Sequence, residues 1–320
     1  DTEHGDAAAT DAAFAAAAHV VRVRHVNNRL IVHYMEPRAA LGEYDAASGL
    51  HTLRCGTQSV QRQRALLAQV LNAAPEAIRV VSHDVGGGFG ARSVLYPEHV
   101  LVVVAAKRLG RPVKWRAERS ENFLTDAQGR DQIVDASLAL DGDGRFQAVR
   151  LETLHNIGAY ITTLGHWGAA INMMRLATGV YAIPAAHLRL RAAFSTCTPT
   201  NAYRGVGRAE AIYALERLVD AAARATGIDA LELRRRNFIA PAAMPYKSAV
   251  GSLYDSGEFD TVMRKALAAA DWNGFPARRK AAARRGMLYG RGLGCYIESA
   301  GGQPVEYAKL RAEPDGGITI

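Results

Sequence analysis

The chain has 320 residues, 49% of them hydrophobic and 22% charged, a balance that excludes a disordered or low-complexity polypeptide and leaves room for two packed domains. Its longest apolar runs, such as residues 100–106, fall short of the roughly 20 residues that cross a bilayer, and no charged-then-apolar leader opens it, so no membrane span is expected. The formal charge is +8, and the three scattered cysteines, Cys55, Cys197 and Cys295, offer neither a disulfide framework nor the Cys-x-x-Cys spacing of a zinc or iron–sulfur site.

Alanine-rich residues 6–18 lack turn signals and read as a helix or a poorly ordered end. Strand patterns follow at 30–34 and 51–55. From residue 58 the pattern turns helical, with Val60, Leu66, Leu67, Val70 and Leu71 on overlapping faces to about residue 72, and Pro75 closes it. Residues 77–81 read as a buried strand that runs into Gly86-Gly87-Gly88-Phe89-Gly90. The next helix enters at Pro97, carries residues 100–106 and stops at Gly110 and Pro112. Residues 113–115 form a further strand, and the Asp141-Gly142-Asp143-Gly144 turn joins 132–140 and 146–155 into a hairpin. Residues 181–194 read as extended, and an amphipathic helix over 208–226 ends at Gly227. Pro241, Pro245, Gly251 and Gly257 make 241–258 the expected inter-domain connection. Beyond it come helices at 261–270 and 276–284, strands at 292–297 and 307–312, and a new strand beginning at 316–320. The basic run Arg278 to Arg285 has no interleaved aromatics and reads as a solvated helix face rather than a nucleic-acid patch.

The pattern predicts an α+β fold, with a first domain over residues 1–245 and, over 246–320, a linker and the truncated start of a second. A chain ending inside a strand is expected to be an internal piece of a longer polypeptide.

Two features carry chemistry. Consecutive glycines at 86–90 let the backbone approach a ligand and turn N–H groups toward an anion, but Ala91-Arg92-Ser93 fits neither phosphate-loop spacing. A cofactor cradle and a tight structural turn both stay open. The second is Thr200-Asn201-Ala202-Tyr203-Arg204-Gly205-Val206-Gly207-Arg208, which places Arg204 between an extended segment and a helix. Its planar donors suit carbonyl, phosphate or pterin acceptors; the alternative is a pairing with Glu210 or a helix-end carbonyl.

Met35-Glu36-Pro37-Arg38-Ala39-Ala40, Gly56-Thr57-Gln58, Gly86–Gly90, Ala202 to Glu210, Arg234 to Ile239 and Tyr254-Asp255-Ser256-Gly257 occur in the order found in molybdenum hydroxylase large subunits. Nearly the whole chain thus resembles the xanthine dehydrogenase, aldehyde oxidase and carbon monoxide dehydrogenase family. The separation of 31 residues between Gln58 and Phe89 also resembles the family spacing.

The resemblance implies a molybdenum–molybdopterin cofactor, in its cytosine dinucleotide form, held by Gln58, Gly87, Gly88, Phe89, Gly90, Arg204 and Gly205. Gln58, by a hydrogen bond to an oxo ligand, Phe89 and Arg204 are implied to contact the metal–pterin centre, and Tyr203 and Val206 to face the substrate. The competing readings are Gln58 as a strand-end polar residue, Phe89 as core and Arg204 as a local salt bridge. The implied reaction is hydroxylation of an aldehyde or N-heterocycle with water as the oxygen source. Electrons would leave through iron–sulfur clusters to FAD on small and medium partner subunits, in a dimer of heterotrimers in the cytoplasm or periplasm.

Departures narrow the substrate. Gly205 stands where carbon monoxide dehydrogenases carry a copper-bearing cysteine, and Ser93 and Val206 stand where xanthine enzymes carry a glutamate and an aromatic. The family's general-base glutamate lies far downstream, so no catalytic residue is assigned; Glu298, Glu306 and Glu313 match no such motif. The 320 residues alone are expected neither to hold cofactor stably nor to turn over.

Overall fold

The computed structural model describes residues 1–163, 165–298 and 308–319, without the side chains of 165–169. In chain order its first half holds β1 (Thr2–Gly5), α1 (Ala7–Ala16), β2 (His19–Asn27), β3 (Ala39–Asp45), β4 (Leu50–Cys55), α2 (Val60–Leu71), β5 (Ile78–Val81), α3 (Pro97–Leu109), β6 (Val113–Arg116) and α4 (Arg119–Thr125). There follow β7 (Gln132–Leu140), β8 (Phe146–Gly158), α5 (Gly165–Arg175), β9 (Ala185–Phe194), α6 (Arg208–Thr226) and α7 (Ala230–Asn237). The C-terminal part holds β10 (Tyr246–Lys247), β11 (Leu253–Tyr254), α8 (Phe259–Ala269), α9 (Phe275–Ala283), β12 (Arg311–Ala312) and β13 (Ile318–Thr319).

Helices and sheets mix as α+β. One sheet has the order β1-β9-β8-β7-β2 and another β5-β4-β3-β6. Each holds one parallel pair, β8 with β9 and β4 with β5, and each pair is joined by a crossover that contains a helix, α5 or α2, because parallel neighbours cannot be linked by a tight turn. On β7 the residues Gln132, Val134, Ala136 and Leu138 alternate inward, and the inner face packs on Ala211, Ala214, Leu215, Leu218 and Val219 of α6. The other face of the same sheet is covered at one end by Ala13 and Phe14 of α1, which lie on Ala139, Ala148 and Ala185. A second core, with Leu53, Leu67, Ile78 and Val103, fills the space between the smaller sheet and α2 and α3.

Gly42 shows how tightly α3 sits on that sheet: a Cβ there would stand 2.3 Å from the Val102 carbonyl oxygen. Arg38 is buried beside it, its Nε 2.5 Å from Asp126 and its Nη1 2.9 Å from Glu98, with its guanidinium carbon 3.7 Å from the Tyr96 ring centroid.

Several expectations need correction. Residues 30–34 form no strand: only Leu30 bridges Gly129, and Val32 and Tyr34 are buried as a loop, with Tyr34 hydroxyl donating to Asp126 at 2.5 Å. The true strands nearby are β2, whose Arg22, Arg24 and His25 obscure the alternation, and β3. At 181–194 the strand begins only at Ala185. Residues 292–297 form no strand because side chains take their backbone groups. Cys295 N–H donates to Glu216 at 2.9 Å, and the Leu293 carbonyl accepts from Arg234 at 3.3 Å. Residue 307 lies outside the described residues, and 318–319 pair back on 311–312. Apart from these corrections, within 241–258 Val250 is buried in the first core and the Tyr254 hydroxyl donates to the Gly179 carbonyl at 2.9 Å. The family-like Arg234 lies in α7, a helix that the sequence pattern does not predict.

Replacing Gly42 by Ala is expected to force α3 off β3 and to lower stability by about 1–3 kcal/mol, seen as a lower urea midpoint at unchanged slope. His99 of α3 is buried, and burial, with Arg38 and Arg92 nearby, holds its imidazole down at about 3. The native state therefore keeps His99 neutral while the unfolded chain takes up a proton below about 6.5, so its contribution is full above that pH and is lost as pH falls toward 3. In a His99→Gln variant the slope of unfolding free energy against pH between 6 and 4 should be shallower by roughly 1.4 kcal/mol per pH unit.

Candidate functional site

Ser59 caps α2, its Oγ accepting from Arg62 N–H at 3.3 Å, so Gln58 stands just outside the helix. The Thr57 hydroxyl and the Gln58 N–H both donate to the Arg92 carbonyl, at 3.0 and 3.2 Å. Arg92 is itself buried and donates to the Glu36 carbonyl at 2.5 Å, and its Nη2 lies 3.0 Å from the Glu36 carboxylate. That carboxylate accepts from Gly86 N–H at 2.8 Å. The stretch from Met35 to Arg38 and the glycine loop are therefore one structure.

Within the loop Gly87, Phe89 and Gly90 all have positive φ, at +98°, +48° and +107°. A Cβ on Gly88 would meet the Gln58 side chain at 2.6 Å, and one on Gly90 would meet the Ala202 carbonyl oxygen at 2.1 Å. Gly90 N–H donates to Gln58 Oε1 at 2.8 Å. Since a backbone N–H can only bond the oxygen end of the amide, the Nε2 end of Gln58 is left to donate outward.

From the other side Arg204 N–H donates to the Phe89 carbonyl at 2.9 Å, and the Arg204 guanidinium lies 5.9 Å from the Phe89 ring centroid. The carboxylate that the sequence offers to Arg204, Glu210, is taken by Arg130 at 3.0 Å, and among the described residues no ion pair involves Arg204. Gln58, Phe89, Gly90, Ser93, Ala202, Arg204 and Val206 line a cavity of about 470 Å³. Phe89 is 43% exposed, which disposes of the core reading.

Of the predicted residues, then, Gln58, Phe89, Gly90, Arg204 and Val206 meet at one cavity. Gly87 and Gly88 shape the loop behind it. Gly205 (φ +92°) lines a different cavity of about 490 Å³, beside Arg208 and Glu298, which pair at 2.7 Å. Tyr203 does not line the first cavity: its ring packs with Val32, Tyr34 and Ala91, and the Arg130 guanidinium covers it at 4.8 Å. Glu313 pairs with Arg311 at 2.6 Å, and Glu306 lies outside the described residues. Sequence reasoning missed Arg130, Arg92 and Asn201, whose Nδ2 lies 3.3 Å from the Gly90 carbonyl. Asn201 stands inside a quoted motif; nothing around Arg130 marks it.

The walls hold donors and an aromatic face, with no Cys, His, Asp or Glu among the lining residues. Such a set does not ligate a metal directly. It fits an oxygen-rich, anionic group, which the Gln58 amide, the Arg204 guanidinium and the glycine loop can hold together. Among the described residues no helix is long and apolar enough to cross a membrane.

Residues 1–238 match the Molybdopterin cofactor-binding domain family. The chain is 33% identical over 305 residues to the carbon monoxide dehydrogenase large chain of Hydrogenophaga pseudoflava, covering 94% of this chain and 38% of that one. It is 32% identical over 315 residues to the 6-hydroxypseudooxynicotine dehydrogenase complex subunit gamma of Paenarthrobacter nicotinovorans, covering 97% and 39%. Among solved structures, quinoline 2-oxidoreductase from Pseudomonas putida 86 superposes with a TM-score of 0.81 at 32% identity, over 89% of this chain and 36% of that one. The chain thus spans about two-fifths of the length of the relatives it matches.

Gly90, which lines the cavity, and Gly88, in the loop behind it, should respond differently to a methyl group. Gly90→Ala meets backbone at a positive φ and is expected to cost about 2–4 kcal/mol. Gly88→Ala meets only the Gln58 side chain, from Cγ outward, which can turn away where backbone cannot, and should cost under about 1.5 kcal/mol, the size of one hydrogen bond. Urea titration of both variants reads the contrast.

Proposed function

Because the chain belongs to the Molybdopterin cofactor-binding domain family, we propose that it forms the first half of the cofactor site of a molybdenum hydroxylase large subunit acting on an N-heterocycle or an aldehyde. The supporting observation is the shared cavity, which is lined by Gln58, held through its Oε1 by Gly90 N–H, by Phe89 and by Arg204, a residue with no ion pair among the described residues. The nicotine-derived and quinoline names of two relatives favour an N-heterocycle. Gly205 and a cavity wall without cysteine disfavour carbon monoxide, and burial pushes the thiols of Cys55 and Cys295 up to about 11.

When bound, the molybdenum cofactor supplies the two-electron oxidising centre, and water supplies the oxygen. The chain's own residues bind and orient. Gln58 Nε2 would donate to an oxygen of the group, Arg204 would balance its negative charge, Phe89 would pack against it, and Val206 would border the substrate. No carboxylate is among the residues that line the cavity, and in this proposal the proton-accepting group comes from a part of the large subunit that this chain does not span. The cytosine dinucleotide form, the iron–sulfur and FAD partner subunits, their assembly as a dimer of heterotrimers and a cytoplasmic location belong to the same proposal. A polyanion-binding role gains no support from the family match.

The test is the molybdenum and pterin content of the full-length subunit produced with its partners, followed by turnover of quinoline and benzaldehyde with an artificial electron acceptor. We expect near-stoichiometric molybdenum, lost in Gly88→Ala while the fold persists. A wild-type protein that carries no molybdenum or pterin would refute the assignment and leave a non-catalytic relative of the family.

A further inference from the structure

We infer that Arg130 is a positioning residue for the candidate cofactor site: it fixes the backbone from which Arg204 reaches the cavity. The inference rests on the reading of that cavity as the cofactor site, and extends it to a residue that touches neither the cavity nor Arg204's side chain.

Arg130 lies in the turn before β7. It and Asp131 are consecutive non-glycine residues at positive φ, +62° and +73°, a conformation that persists only where the surroundings enforce it. They do so here. Gly129 and Leu30 exchange backbone hydrogen bonds at 2.9 and 3.0 Å, and Asp131 N–H donates to the Asn27 carbonyl at 3.0 Å. The Asp131 carboxylate accepts from Arg29 at 2.8 Å and from Asn156 at 2.9 Å. Gly129 itself makes room, since a Cβ there would stand 2.4 Å from Tyr203 Cβ.

This turn aims the Arg130 guanidinium under residues 203–205. Nη2 donates to the Arg204 carbonyl at 2.8 Å, and Nη1 to the Tyr203 carbonyl at 3.2 Å and to Glu210 Oε1 at 3.0 Å. Its plane also covers the Tyr203 ring. Two consecutive carbonyls, a carboxylate and a ring face suit a planar fork of donors and not the point charge of a lysine. Glu210 is buried, and its second oxygen has no hydrogen-bond partner among the described residues, so its visible task is to hold Arg130.

The consequence falls on Arg204. Its N–H is held by the Phe89 carbonyl and its own carbonyl by Arg130, so its main chain is gripped on both sides. Phe89, Arg130 and Val206, three of the positive-φ non-glycine residues, sit on the pieces of chain that meet here. Strain gathered around one cavity is what a preorganised binding loop produces.

The experiment compares wild-type, Arg130→Lys and Glu210→Gln forms of the full-length subunit by hydrogen exchange without cofactor and by molybdenum retention and steady-state kinetics with it. Arg130→Lys keeps the charge opposite Glu210 and loses the fork. We expect the amides of Arg204 and Val206 to exchange about tenfold faster or more, from loss of charge-assisted bonds, while those of β7 and β8 stay within about twofold. Molybdenum retained after gel filtration should fall by about half or more, and Glu210→Gln should show the same pattern more weakly. Unchanged exchange at Arg204 and Val206 would overturn the inference. So would a uniform rise through β7 and β8, which marks a general structural support. Failure of the cofactor reading shows separately, as wild-type protein without molybdenum, and the exchange pattern then decides the positioning role alone.

Discussion

At Gly90 two stretches of main chain approach so closely that one methyl group would stand 2.1 Å from the Ala202 carbonyl oxygen. That approach is the constraint on which the cavity depends. It brings the loop after β5, which belongs to the smaller sheet, against the segment after β9, which belongs to the larger one. Arg204 N–H to the Phe89 carbonyl and Asn201 to the Gly90 carbonyl then stitch the two together at 2.9 and 3.3 Å. Only a residue without a side chain tolerates both the contact and the φ of +107°. The cavity is a seam between two sheets, and neither sheet could build it alone.

Buried arginines hold the seam's margins. Arg38 joins the 35–38 loop to Asp126 and Glu98, Arg92 joins Glu36 to the glycine loop, and Arg234 joins α7 to Glu216 of α6. Such pairs give little net stability against an apolar core of equal volume, because desolvation offsets the attraction. What they give is geometry: each arginine donates in several fixed directions, so the segments it joins have one relative placement. Removing a single partner would leave an unpaired charge buried, which ties these motifs to one another.

How much of this the sequence disclosed depends on the range of each interaction. Helix α6 was legible from its own periodicity and Gly227, the β7–β8 hairpin from its Asp-Gly turn, and the glycine loop from composition. The family resemblance named Gln58, Phe89, Arg204 and Val206 together, and the structure brings these four to one cavity. Strand β2 was hidden by its alternating arginines and histidine, and residues 30–34 look like a strand because Val32 and Tyr34 are buried apolar residues in a loop. The resemblance implies that Tyr203 faces the substrate, yet its ring packs on the small cluster with Tyr34. Arg130 carried no signal, since its partners lie 73 to 80 residues away in the chain. Long-range pairing by side chains has no local period to betray it.

Helix α6 also carries Glu216, which receives the Tyr181 hydroxyl, the Arg234 guanidinium and the Cys295 N–H. Glu210, which grips Arg130, stands six residues earlier on the same helix, roughly 9 Å along its axis at 1.5 Å per residue. The cavity loop and the crossing chain at 293–295 are thus fastened to two points of one stiff rod. The chain at 293–295 and the Arg130 clamp therefore share one anchor, so the C-terminal segment and the cavity are positioned by the same helix.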